Sequence, residues 1–194
     1  MKEVRNLDNH IWLRSTEGEA SRHVDGYALV FDSESKDLGG FTEVISRNAL
    51  DGVLEDSDVL ALLNHDVGRG VLARWRGEEG SLKLEIDKKG LRYSFDAPNT
   101  SLGDELLEGL QRGDISQSSF AFTVEKETWE KLGDGRYLRT IEKIKKIYDV
   151  SPVYNPAYDA TSVVYNSRGL EDLKKKEREE LYKYYDNLKK RIPK

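Results

Sequence analysis

The chain has 194 residues, enough for one core of ordinary size with an appendage. Apolar residues make up 37% and charged residues 35%, which fits a soluble globular protein with a locally charged segment, and the net charge of −5 leaves no electrostatic footprint for nucleic acid or an anionic membrane. There is no cysteine, which removes disulfides, thiolate metal sites and cysteine nucleophiles together.

The start, MKEVRNLDNHIWLRS, carries charges throughout and no apolar run of signal-peptide length, and no later stretch reaches the length of a membrane span. A cytoplasmic origin and no membrane partner are expected. From Ile11 to Val164 the apolar residues fall in short bursts (VLALL, VLARW, LKLEI, LRYSF, FAFTV, TSVVY) separated by Gly, Asp, Asn and Lys. This spacing predicts many short strands in an antiparallel barrel or sandwich. Ser46 to Leu54, with Ala49, Leu50, Val53 and Leu54 at helical spacing, predicts a short helix capped by Ser46. Ser101 to Arg112 predicts a second, with Leu102, Leu106, Leu107 and Leu110 on one face, Asp104 and Glu105 in its first turn and Gly113 at its end. After Arg168 the composition turns to GLEDLKKKEREELYKYYDNLKKRIPK, rich in helix formers and sparse in apolar residues. The fold class expected is therefore α+β, mostly β: a β-barrel domain over 1–168, flanked by a few helices, and a charged C-terminal helical tail over 169–194, solvated or partner-binding.

Three histidines exist, His10, His23 and His65, and none has a metal-ligand spacing such as HExxH. Gly39-Gly40 and the Gly68/Gly70 pair match no phosphate or dinucleotide loop and read as turns. His65 follows the apolar run Val59 to Leu63, so a buried strand would deliver it to a turn at the rim, although a lone histidine is more often structural. In GDISQSSFAFTVE, Ser118 shares a strand face with Phe120, Phe122 and Val124, and Ser119 shares the other with Ala121 and Thr123. Ser118 is thus expected in the core and Ser119 on a surface lined by small groups. No GxSxG elbow surrounds either serine, and a serine that merely opens a strand is the commoner case. Asp149 precedes a turn fixed by Pro152 and Pro156, but it is one of 36 acidic residues and spacing does not choose among them.

Taken together, Gly26 to Phe31 (GYALVF), Leu38 to Ile45 (LGGFTEVI), Asn64 to Asp66 (NHD), Lys89 to Leu91 (KGL), Gly113 to Ser116 (GDIS), Ser119 to Phe122 (SFAF) and Asp149 to Tyr158 (DVSPVYNPAY) resemble the prohead protease family of tailed double-stranded DNA phages. The resemblance spans roughly Val24 to Val164. It implies a fold similar to the herpesvirus maturational proteases, a β-barrel surrounded by helices. It also implies a serine endopeptidase with Ser119 as nucleophile and His65 as general base, needing no cofactor and no metal. The family usually has a glutamate at the position of Asp149, the candidate third member, and Gly-Met where this chain has Gln117-Ser118.

The partners implied are the major capsid protein with its scaffolding segment, other internal proteins, and the protease itself through autocleavage. The place of action implied is the procapsid assembling in the host cytoplasm. The resemblance admits a homodimer, and the sequence does not set the oligomeric state. Because family members trim themselves, the tail after about Arg168 is expected to be detachable, cut through an extended Asn166 to Gly169 junction. Two rival readings are a catalytically silent capsid assembly or scaffolding module, which a fluorophosphonate would not label, and a metal-dependent hydrolase, which chelation would silence.

Overall fold

The computed structural model describes residues 2–7, 11–13, 21–55, 57–77, 79–154 and 160–191, and of residues 7, 160–169 and 188–191 the backbone alone. The chain is mostly β. In order it forms β1 (Glu3–Leu7), β2 (Ile11–Leu13), β3 (His23–Val30), β4 (Phe41–Ile45), β5 (Asp58–Ala61), β6 (Ala73–Arg76), β7 (Glu79–Gly80), β8 (Lys83–Ile86), β9 (Gly90–Asp96), α1 (Ser101–Arg112), β10 (Ile115–Lys131), β11 (Tyr137–Tyr154) and α2 (Ala160–Arg191). No helix among the described residues is long and apolar enough to cross a membrane.

The backbone of the molecule is the long antiparallel hairpin β10–β11. The free edge of β10 pairs with β1. The far edge of β11 takes β4 along Tyr137–Ile141 and β5 at Asp149 and Val150, both parallel, and the sheet continues to β6 and β7. A second antiparallel sheet runs β2-β3-β9-β8. Among the described residues these are two hydrogen-bonded sheets, so the expected barrel is not closed as a ring. One core lies between them, built from the faces that alternate inward: Val24, Ala28 and Leu29 of β3, Leu91, Tyr93 and Phe95 of β9, Phe120 and Phe122 of β10, and Ile141, Ile144, Ile147 and Val150 of β11.

The helix expected over Ser101–Arg112 forms as α1. Thr100 accepts at its hydroxyl from Gly103 N–H, Leu106 is buried, and Gly113 ends the helix at φ +80°, a conformation suited to glycine. The helix expected over Ser46–Leu54 is only a 3-10 turn over Arg47–Leu50, and the Ser46 side chain caps nothing. Four residues whose apolar members Ala49 and Leu50 already reach the core gain little from further turns.

The C-terminal region corrects two expectations. TSVVY was expected as a strand and Asn166 to Gly169 as an extended junction, yet α2 is helical from Ala160 through both. A lone strand there would need a ladder partner, whereas the helix-forming run that follows propagates its internal hydrogen bonds backwards. The tail is also seated at its start. Leu170 is buried with Phe41 and Tyr137 in a small second core, where Leu173 and Trp129 pack, and Glu177 accepts from Lys131 and the Tyr137 hydroxyl. Farther on, Leu181, Tyr182, Tyr184 and Tyr185 are exposed.

Candidate active site

Ser119 and Asp149 stand on neighbouring strands of the hairpin. Ser119 pairs with Ser151 and Ala121 with Asp149, so all four side chains share one face of the β10–β11 ladder. His65 reaches that face from β5. Beyond Ala61 the chain stays along β11, with Leu62 N–H donating to Val150 and Asn64 N–H to Pro152. It then turns through two consecutive left-handed residues, Asn64 at φ +55° and His65 at φ +59°. Non-glycine residues rarely adopt this conformation, and it persists where surrounding contacts determine it.

The turn swings the imidazole across the two strands. Its Nε2 lies 2.6 Å from Ser119 Oγ, and its Nδ1 makes a short contact with Asp149 Oδ1. Asp149 is almost fully buried. Its Oδ1 also accepts from the Ser151 hydroxyl at 2.8 Å, and its Oδ2 from Lys2 Nζ at 3.0 Å. Burial pushes the Asp149 pKa up, but the hydrogen bond and charge of His65, the Ser151 hydroxyl and the Lys2 ammonium outweigh it and hold the carboxyl below its usual value. An ionised carboxylate therefore accepts Nδ1–H, which leaves the Nε2 lone pair aimed at the serine. The carboxylate of Asp149 spans the gap to the ring although it is one methylene shorter than the glutamate usual in the resembled family.

The two serines divide as their alternation requires, with one correction. Ser118 points into the core and donates to the buried Tyr93 hydroxyl at 3.0 Å; Gly26 makes room for that hydroxyl, since a Cβ there would lie 2.6 Å from it. Ser119 does face Ala121 and Ser151, but no open surface: it is 0% exposed. The cause is β1, which pairs antiparallel with β10 and sets Asn6 opposite Ser119 and Arg5 opposite Phe120. The Arg5 carbonyl oxygen lies 2.8 Å from Ser119 Oγ and accepts from it. A hydroxyl has one proton, so the Arg5 carbonyl and the His65 ring compete for it.

His23 lies apart on β3, bonded to Asp96, and His10 falls outside the described residues. No cluster of three or more acidic or histidine side chains able to hold a metal occurs among the described residues.

A second buried polar constellation adjoins the first. Arg5 donates from Nε and Nη2 to the two oxygens of Glu43, at 2.8 and 2.7 Å, and from Nη2 to Glu3 at 2.8 Å. Arg139 donates to Glu43 at 2.7 Å, to both oxygens of Glu3 at 2.6 and 2.9 Å, and to Glu127 at 2.9 Å. Burial pulls the Arg139 pKa down, but the carboxylates around it win and raise it, while burial raises the Glu3 pKa and the two guanidiniums lower it further. Lys2, Glu3, Arg5, Arg139 and Ser151 were not singled out by the sequence. The available signal was Glu43, which stands in the Leu38 to Ile45 word.

The profile of the caudovirus prohead serine protease family matches residues 9–176. Among solved structures, the capsid assembly protease gp21 of bacteriophage T4 is similar at 13% identity, covering 80% of this chain and 97% of that one, with a TM-score of 0.45. Among curated proteins none matches significantly.

Proposed function

The chain belongs to the caudovirus prohead serine protease family, and from that premise we propose that it is a serine endopeptidase in which Ser119 is the nucleophile, His65 the general base and Asp149 the group that orients His65. The observation that carries this reading is the 2.6 Å separation of His65 Nε2 and Ser119 Oγ, with the far ring nitrogen on a buried, ionised Asp149. A serine hydroxyl is a weak nucleophile until its proton is taken. Here the proton passes to Nε2 as Oγ bonds to the substrate carbonyl carbon. The peptide C–N bond then breaks and the departing amine carries that proton away. Water, deprotonated by the same nitrogen, releases the acyl group from Oγ. Asp149 fixes the tautomer and balances the imidazolium charge.

Its substrates, on this reading, are the major capsid protein with its scaffolding segment and the protease chain itself, inside the assembling procapsid. Co-expression with the cognate capsid protein followed by mass measurement of both tests it: fragments that vanish with Ser119→Ala support the reading, and intact chains overturn it. The complete burial of Ser119 favours one rival, a silent assembly module. Fluorophosphonate labelling separates them, because an activated serine is labelled at Ser119 and a silent module is not.

A further inference from the structure

We propose, resting on the protease reading, that β1 lies in the substrate groove, and that this groove selects an extended peptide with an arginine whose carbonyl sits at Ser119, cutting the bond after it. Three observations support the assignment. First, β1 adds to the free edge of β10 as an antiparallel strand over Ser118 to Phe122, the register an extended peptide needs to gain ladder hydrogen bonds beside the nucleophile. Second, one residue of that strand does two things: the Arg5 carbonyl oxygen is 2.8 Å from Ser119 Oγ, and the Arg5 side chain forks onto Glu43 at 2.8 and 2.7 Å. The residue read by the pocket is thus the residue presented to the chemistry.

Third, the charges left when β1 is lifted away call for a cation. Glu43, 3% exposed with β1 in place, then keeps Arg139 as its cationic partner among the described residues, and Arg139 is shared with Glu127, so negative charge is left where the Arg5 guanidinium lay. The paired geometry at Glu43 fits a planar guanidinium better than an ammonium, and the Phe122 ring, 5.6 Å from the Arg5 guanidinium carbon, supplies an apolar wall. Glu3, two residues earlier and on the same strand face, rests on Arg139, so a glutamate at that place in a substrate would add to the selection. Cleavage forms the Ser119 Oγ–carbonyl bond and breaks the peptide bond after the arginine; the amine leaves with the proton held by His65, and water completes hydrolysis. Glu3-Val4-Arg5 is the one Glu-Xaa-Arg triplet in the sequence, so the chain's own match to the groove is the strand already in it.

The test uses the full chain carrying Arg5→Ala, which loosens β1, with a peptide built on Lys-Glu-Val-Arg-Asn-Leu and copies in which the arginine is citrulline or lysine. The expected kcat/KM for arginine exceeds that for citrulline, its neutral isostere, on the order of 100-fold, with lysine between. In a second enzyme, Glu43→Gln, the arginine peptide should fall to the level of citrulline. Equal cleavage of the arginine and citrulline peptides, or labelling of Ser119 by fluorophosphonate with no peptide cut, overturns the inference and leaves the protease reading standing. Absence of both labelling and cleavage overturns both. Should Glu43→Gln fail to fold, the peptide series on intact Glu43 still decides.

Discussion

Two buried polar constellations lie side by side on the β10–β11 hairpin, and they differ in what their protons can do. In the cluster of Glu3, Arg5, Glu43, Arg139 and Glu127 every proton is fixed, because the guanidiniums stay charged and each donates to carboxylates. Around His65, Ser119 and Asp149 one hydroxyl proton has two acceptors. The first arrangement holds charged partners together, the strand β1 among them. The second holds a group in readiness, and the strand that the first anchors, β1, supplies one of its two acceptors through the Arg5 carbonyl.

The comparison is broken most severely at the mobile proton. Ser119→Ala and His65→Ala should each lower turnover on the order of 10⁴-fold or more, and the double variant should be little worse than either, since the two act as a unit. Losses that add in the double variant would remove His65 as the base. Asp149→Asn should cost up to about 10⁴-fold in kcat with the fold kept, because an amide admits the wrong tautomer; near-normal turnover would place the orienting group elsewhere.

At the fixed protons the effect should be on stability. Arg139→Ala leaves Glu3 and Glu43 with Arg5 and takes the guanidinium away from Glu127, and should cost about 3–5 kcal/mol in denaturant unfolding. A loss below about 1 kcal/mol would show that Arg5 and water suffice. Acid should reach both regions. Asp149 and Glu3 have folded pKa values below their ordinary 3.8 and 4.5, so their contribution is fully present above those values and lost as the pH falls through the lower folded ones. A melting temperature that starts to fall well above pH 5 would point to other groups. The smallest effect belongs to the tail. Ending the chain at Arg168 removes Leu170 from Phe41 and Tyr137 and should cost about 2 kcal/mol, whereas ending it after Glu177 should cost little. Equal melting of the two truncations would show that the second core contributes nothing.

What the sequence disclosed follows from the range of the signals. Alternation at Ser118 to Val124 sets the two adjacent serines on opposite strand faces, as found, because the period of a strand is a local property. The helix at Ser101–Arg112 is legible for the same reason, with its cap and its glycine stop in one short segment. Burial of Ser119 was not legible, because it depends on β1, whose partner lies more than a hundred residues away and whose string Glu3 to Leu7 shows charge where a strand pattern was sought. Arg139 and Glu43 were hidden likewise: a buried charge in sequence looks like a surface charge until its partners are known. The helix that replaced TSVVY reflects cooperativity along α2, which outweighs the β preference of two valines.

The pairing of β1 has a further bearing, on solubility. Over Ser118 to Phe122 the edge of β10 carries backbone donors and acceptors that β1 satisfies. A chain that has released β1 presents that row bare at the border of the six strands that remain in the sheet. Such borders template aggregation with any extended segment nearby, a second copy included. The freed enzyme should therefore precipitate sooner than the covered one at equal concentration, and its working life should depend on how quickly the next strand arrives to cover the edge.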